Sequence, residues 1–98
     1  MLAVSESQLL EIRKILKETI PKVTVLAFGS RVSGNYKKTS DLDLLLKSES
    51  KLSSLVLGNL RERFELSNLP FRVDILDWHA ISEDFRTVIN SCCYKIEF

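Results

Sequence analysis

Between Val23 and Lys47 the chain reads VTVLAFGSRVSGNYKKTSDLDLLLK, and this stretch allows few folds. It opens on an apolar run rich in β-branched residues, Val23–Phe28, which suits a central strand. Gly29-Ser30 ends the run. Residues 30–33 can form one helical turn, closed by Gly34 and Asn35, residue types that tolerate positive φ. Polar residues 35–40 make an exposed loop. The second strand, Asp41–Lys47, alternates strictly, with Leu42, Leu44 and Leu46 on one face and Asp41, Asp43 and Leu45 on the other. Three leucines need a core, so the two aspartates are forced onto the opposite, open face.

Alternate side chains of a strand stand about 6.6 Å apart, and two carboxylates so placed repel unless a positive charge lies between them. A divalent metal with oxygen ligands is the usual answer, typically Mg²⁺, which also binds substrate phosphates. A third carboxylate comes later. In Phe71–Leu76, read as a third strand, Phe71, Val73 and Ile75 face one way and Arg72, Asp74 and Leu76 the other. Asp74 thus shares the open face with Asp41 and Asp43 if the two strands share one core; the alternative is a surface partner of Arg72. Asp77 has the opposite parity and is the weaker third ligand.

Helices fill the intervals. Ser5 and Gln8 form a capping box ahead of a helix over 6–19, whose stripe is Leu9, Ile12, Ile15, Leu16 and Ile20, and Pro21 ends it. A second helix runs over 51–66 with Leu52, Leu55, Val56, Leu60 and Phe64 buried. A last one spans 83–92 with Phe85, Val88 and Ile89 buried, and the tail from Tyr94 to Phe98 is left unplaced. The expected architecture is a single α/β domain over residues 1–98: a short mixed sheet, helices packed on one face, acids on the other.

Composition narrows the function. At 98 residues and 45% hydrophobic the chain can bury a real but thin core. A net charge of +1, with no basic block longer than Lys37-Lys38, excludes long nucleic acid held by counterion release. No apolar run approaches the roughly 20 residues that span a bilayer, and no signal-peptide pattern opens the chain, so a cytoplasmic location is expected. Cys92 and Cys93 are adjacent, cannot staple distant segments, and are read as reduced, partly buried thiols. His79 is read as structural, Lys37 and Lys38 as a solvated loop.

Three carboxylates beside a Gly-Ser corner outline a phosphoryl-transfer site, where the protein's task is positioning and charge neutralisation. Asp41 and Asp43 would hold metal, and Asp74 would complete the set or help activate the nucleophile. Gly29 would let the backbone approach a phosphate that Ser30 and the following amides bind. Arg31 is read either as a phosphate contact or as a solvated turn residue.

GSRVSG, then SDLDLLL with ten residues between Ser30 and Asp41, then VDIL, resembles the nucleotidyltransferase fold of the DNA polymerase beta superfamily. More closely, it resembles the minimal nucleotidyltransferase (MNT) family, the MntA-type antitoxins paired with HEPN-domain toxins. The resemblance covers nearly the whole chain; Ser33 stands where the family often has a second arginine. It implies that Gly29, Ser30 and Arg31, with Asp41 and Asp43, bind the nucleotide, and that Asp41, Asp43 and Asp74 bind catalytic Mg²⁺. It further implies transfer of AMP from ATP to a tyrosine of the partner toxin in a hetero-oligomer, silencing the toxin. A non-catalytic module that neutralises its partner by occlusion, or transfer to a small molecule such as an aminoglycoside, remain alternatives. The chain's size leaves no room for an acceptor-binding or template-binding domain, which disfavours a polymerase. A protein acceptor is therefore expected, with Tyr36, Trp78 and Phe98 as docking candidates.

Overall fold

A computed structural model of the chain, describing residues 1–98, gives the leucines of the second strand the core that their alternation demands. Leu42, Leu44 and Leu46 are each fully buried. They pack with Val25, Ala27 and Ile75 of the neighbouring strands, with Ile12, Ile15 and Leu16 of the first helix, and with Leu60 and Phe64 of the third. The elements run α1 (Glu6–Thr19), β1 (Thr24–Phe28), α2 (Ser30–Ser33), β2 (Leu42–Lys47), α3 (Ser54–Glu65), β3 (Val73–Asp77), α4 (Glu83–Ser91) and β4 (Tyr94–Lys95). A 3-10 turn over Trp78–Ala80 links β3 to α4.

The four-stranded sheet has the order β3-β2-β1-β4. β1 is antiparallel to β2 and to β4, whereas β2 and β3 are parallel. The parallel pair needs a long crossover, which α3 supplies. Local chemistry sets the helix starts. Ser5, Ser53 and Ser82 each accept a hydrogen bond from the backbone N–H three residues on, and the Ser5 N–H donates in turn to Oε1 of Gln8. The capping box lies where the sequence predicts it.

α1 and α3 pack on the leucine face, as expected. The other face is open only at its acid end. There a row of Leu26, Leu45 and Leu76, aligned by register, lies one pleat from Asp43 and Asp74. Leu45, expected in the open, is fully buried. α4 lies at this second face, its Phe85 ring meeting Phe28 edge-on with centroids 6.0 Å apart, and its Ile89 is buried outside the main core. The expectation of helices on one face thus holds for α1 and α3 and is amended for α4. A thin sheet with apolar residues on both sides has to be covered on both.

Three stripe residues expected to be buried are exposed: Leu55 at 72%, Val88 at 63% and Phe85 at 37%. Cys92 and Cys93 are both exposed rather than partly buried. The unplaced tail forms β4, and Ile96 just after it donates its N–H to the Val25 carbonyl and joins the core. No helix is long and apolar enough to cross a membrane.

Leu44→Ala should destabilise the fold by about 2–5 kcal/mol, because the cavity it leaves lies between α1, α3 and the sheet. Leu55→Ala, at an exposed position, should shift stability by no more than about 0.5 kcal/mol. Urea unfolding followed by far-UV circular dichroism checks both.

Candidate active site

Pairing register, rather than proximity in sequence, builds the site. Phe28 of β1 lies opposite Asp43, and Asp43 lies opposite Asp74. Directly paired residues project to the same face, so the three side chains form one row across the sheet. Asp41 lies just before β2, at the same parity as Asp43. Asp41 and Asp74 are exposed and Asp43 is half-buried. Burial is the main cause that pushes the Asp43 carboxyl above its ordinary value, and the charges of Asp74 and then Asp41 push it the same way.

From the β1 side, the chain closes on Asp43 at Gly29. This residue has φ 80° and ψ −158°, and a Cβ placed on it would lie 2.3 Å from Oδ2 of Asp43. Only glycine both reaches that backbone conformation without strain and leaves the carboxylate room. Ser30 follows as the first residue of α2, half-buried. The first amides of a helix have no acceptor within it, so they are open to an external anion. Gly34, at φ 95°, ends α2 by donating its N–H to the Ser30 carbonyl.

Arg31 departs from the sequence expectation. It is buried, at 4% exposure, and Nε donates to the Ser40 carbonyl at 2.9 Å. Its two terminal nitrogens donate to the carbonyls of Ala3 (2.8 Å), Lys38 (3.0 Å) and Lys37 (3.4 Å). Its guanidinium carbon lies 4.0 Å from the Phe71 ring centroid and 5.5 Å from that of Tyr36. A guanidinium so occupied is a clamp on the loop leading to Asp41, and both expectations for it, phosphate contact and solvated turn residue, give way to that role. Nothing in the sequence signals this, because Ala3 and Phe71 are distant from Arg31 along the chain. Lys37 and Lys38 are exposed, as expected.

Asp77 is excluded from the acid row, in keeping with its parity. It is 5% exposed and caps the 3-10 turn, with Oδ2 accepting from Leu52 N at 2.9 Å and Oδ1 from His79 N at 3.0 Å. His79 has a structural contact through Nε2 to the Ser48 carbonyl at 2.7 Å. Trp78 and Phe98, named as docking candidates, are partly buried: Lys47 and Arg86 lie over the Trp78 ring, and Phe98 packs against the core. Tyr36 is exposed.

On the β3 side Asp41 and Asp74, but not Asp43, open onto a cleft of about 660 Å³ that Thr39, Arg61, Glu65 and Arg72 also line. A larger cavity, about 810 Å³, lies around Arg31, Phe71 and the N-terminal segment and contains none of the acids. The smaller one adjoins the chemistry. Arg72 does not pair with Asp74; the ion pairs are Arg63–Glu18 and Lys95–Glu97.

The three carboxylates are gathered at one end of the sheet but not closed into a ligand set, since no three His, Cys, Asp or Glu side chains are spaced to hold a metal ion. The donors nevertheless fit a hard divalent ion. They are all carboxylate oxygens, and the Asp43 proton affinity is raised first by burial and then by the charges of Asp74 and Asp41, which such an ion would offset.

A family model described as a nucleotidyltransferase domain matches residues 9–97. The chain is 49% identical over 96 residues to the probable protein adenylyltransferase MntA of Haemophilus influenzae, covering 98% of this chain and 84% of that one. Among solved structures, a toxin–antitoxin complex with AMP-PNP superposes with a TM-score of 0.75 at 23% identity, over 91% of this chain and 72% of its match. A complex of tri-AMPylated Shewanella oneidensis HEPN toxin with MNT antitoxin gives 0.70 at 20%, over 94% and 71%. At those identities the two structures share the fold.

The raised Asp43 pKa has a signed consequence for stability. Below the ordinary value of 3.8 the carboxyl is protonated whether the chain is folded or not, and the wild type suffers no penalty there. As pH rises through the raised folded value, the folded chain has to carry an unfavourable charge and loses stability. Asp43→Asn should therefore raise the melting temperature at pH 7, and this advantage should shrink as pH falls toward 3.8. Thermal unfolding of both proteins across that range tests it, and an advantage independent of pH would contradict the assignment.

Proposed function

The chain belongs to the nucleotidyltransferase domain family, and on that premise we propose that it transfers AMP from ATP to a tyrosine hydroxyl of a HEPN-domain toxin. It acts in the cytoplasm as that toxin's antitoxin, in a complex of the two proteins, with Mg²⁺ as cofactor. The observation that carries this reading is the pairing of Asp43 with Asp74 beside a glycine whose missing Cβ leaves Asp43 its room. Two adjacent carboxylates on an open sheet face are unfavourable for a purely structural domain. They are what the transfer of a highly charged phosphoryl group uses. Support also comes from the adenylyltransferase activity for which the Haemophilus relative is named.

In this reading the triphosphate lies along Gly29 and Ser30, where the backbone approaches closely. Asp41, Asp43 and Asp74 would hold Mg²⁺, which when bound would neutralise the phosphate charge. Asp74, on the flank away from Gly29, orients the acceptor hydroxyl and takes up its proton. The acceptor oxygen bonds to the α-phosphorus while the bond from that phosphorus to the bridging oxygen breaks. Pyrophosphate leaves on the Gly29 side. Attack and departure are in line, so the acceptor enters from the β3 flank.

The experiment is transfer to the partner toxin with Mg²⁺ and ATP, read as the toxin's intact mass. Asp43→Asn and Asp74→Asn should each lower the rate by about three orders of magnitude, the equivalent of several kcal/mol of transition-state stabilisation. Both variants should remain folded. Full neutralisation of the toxin by these variants would instead favour occlusion.

A further inference from the structure

We propose that Arg61 and Arg72 form an anion seat on the acceptor side of the site, one that docks an acidic side chain flanking the acceptor hydroxyl of the partner protein. The inference rests on the transferase reading above and adds what the partner must present.

Geometry places both arginines. Leu42 of β2 pairs with Val73 of β3, and the Leu42 N–H donates to the Arg72 carbonyl at 2.8 Å. Arg72 therefore lies beside Asp41, and its parity directs it to the same face as Asp74. Arg61 arrives from α3 and reaches the β3 edge, where a terminal nitrogen lies 3.4 Å from the Ile75 carbonyl. Both side chains line the cleft of about 660 Å³ that contains Asp41 and Asp74.

Both arginines are exposed and neither forms an ion pair, although three carboxylates, Asp41, Glu65 and Asp74, share their cleft. The cations accordingly flank the acids without neutralising them. A guanidinium presents its donors in a fixed fork that suits a carboxylate, and a single contact to the Ile75 carbonyl leaves most of the Arg61 donors available. Gly29 and Ser30 occupy the opposite, β1 side of Asp43, where the triphosphate would lie. An anion on the β3 side is thus one brought by the incoming acceptor. The occupant is fixed by charge complementarity: two unpaired cations, a partner segment that has to enter here, and a hydroxyl that has to stop beside Asp74.

The test compares the wild type with Arg72→Gln and with the Arg61→Gln/Arg72→Gln pair. Initial rates of adduct formation are measured by intact mass against partner concentration, at low and moderate salt. Arg72→Gln should raise KM for the partner about tenfold with kcat within about twofold, and the pair should raise it further and flatten the salt dependence. KM for ATP and the urea midpoint should not move, which a merely structural role would not predict. Arg72→Lys should restore part of the loss. Partner binding without ATP, by titration calorimetry, should weaken in parallel; it reads the seat even if no AMP is transferred, so failure of the transferase reading is separable. Unchanged KM and binding in both variants would overturn the proposal. So would loss confined to additions after the first, which would assign the seat to the phosphate of an AMP already transferred.

Discussion

The strand β2 can bury three leucines only by turning Asp43 outward. Leu42, Leu44 and Leu46 each lie at zero exposure between α1, α3 and the sheet. Removing any one from the core would cost on the order of 2–5 kcal/mol, a large part of the net stability of a domain this size. Slipping the register by one residue would exchange the faces, turning Asp43 into the leucine core. The position of Asp43 is therefore imposed by the core. Parallel pairing with β3 then sets Asp74 beside it, and Ile75, 2% exposed on the leucine side, fixes that strand in the same way. The unfavourable proximity of two carboxylates is maintained by packing energy on the opposite side of the sheet.

Arg31 extends this order to the loop. Burying a guanidinium is costly unless its donors are satisfied, and here they meet four carbonyl oxygens and two aromatic rings. Those carbonyls belong to Ala3, Lys37, Lys38 and Ser40, so one side chain ties the N-terminal segment to the loop that ends at Asp41. Without the clamp, the polar residues 35–40 would have little to hold them. The positive charge that the sequence offers next to the Gly-Ser corner serves the scaffold, and the charges facing the cleft come from Arg61 and Arg72 instead.

What could be read in advance follows a physical division. Period-two alternation gave the faces of Asp43, Asp74 and the leucines, and it separated Asp77, which caps the 3-10 turn. Capping chemistry located the start of α1, because Ser5 and Gln8 act within one turn of helix. Contacts between distant segments were not legible. β4 is two residues long and exists because Leu26 and Ala27 have an unpaired edge. Leu45 is buried on the second face, and no local pattern in β2 says so. Phe85 and Val88 fit a helical stripe, yet α4 lies at the sheet margin and buries only Ile89. The role of Arg31 depended on Phe71 and Ala3, which only the fold brings near.

The arrangement of charge leaves the acids unpaired. Two arginines share a cleft with Asp41 and Asp74, yet the causes that raise the Asp43 pKa are burial and its two neighbouring carboxylates, with no cation offsetting them. Had either arginine paired with these acids, it would have occupied the oxygens a divalent ion needs and lowered their affinity for it. Anchoring at the β3 edge, where Arg61 meets the Ile75 carbonyl, keeps positive charge at the rim and leaves the centre negative. A site built this way attracts a cation to the middle and an anion to the edge. Both fit the proposed reaction, in which a metal-bound triphosphate would enter from one side and a protein hydroxyl from the other.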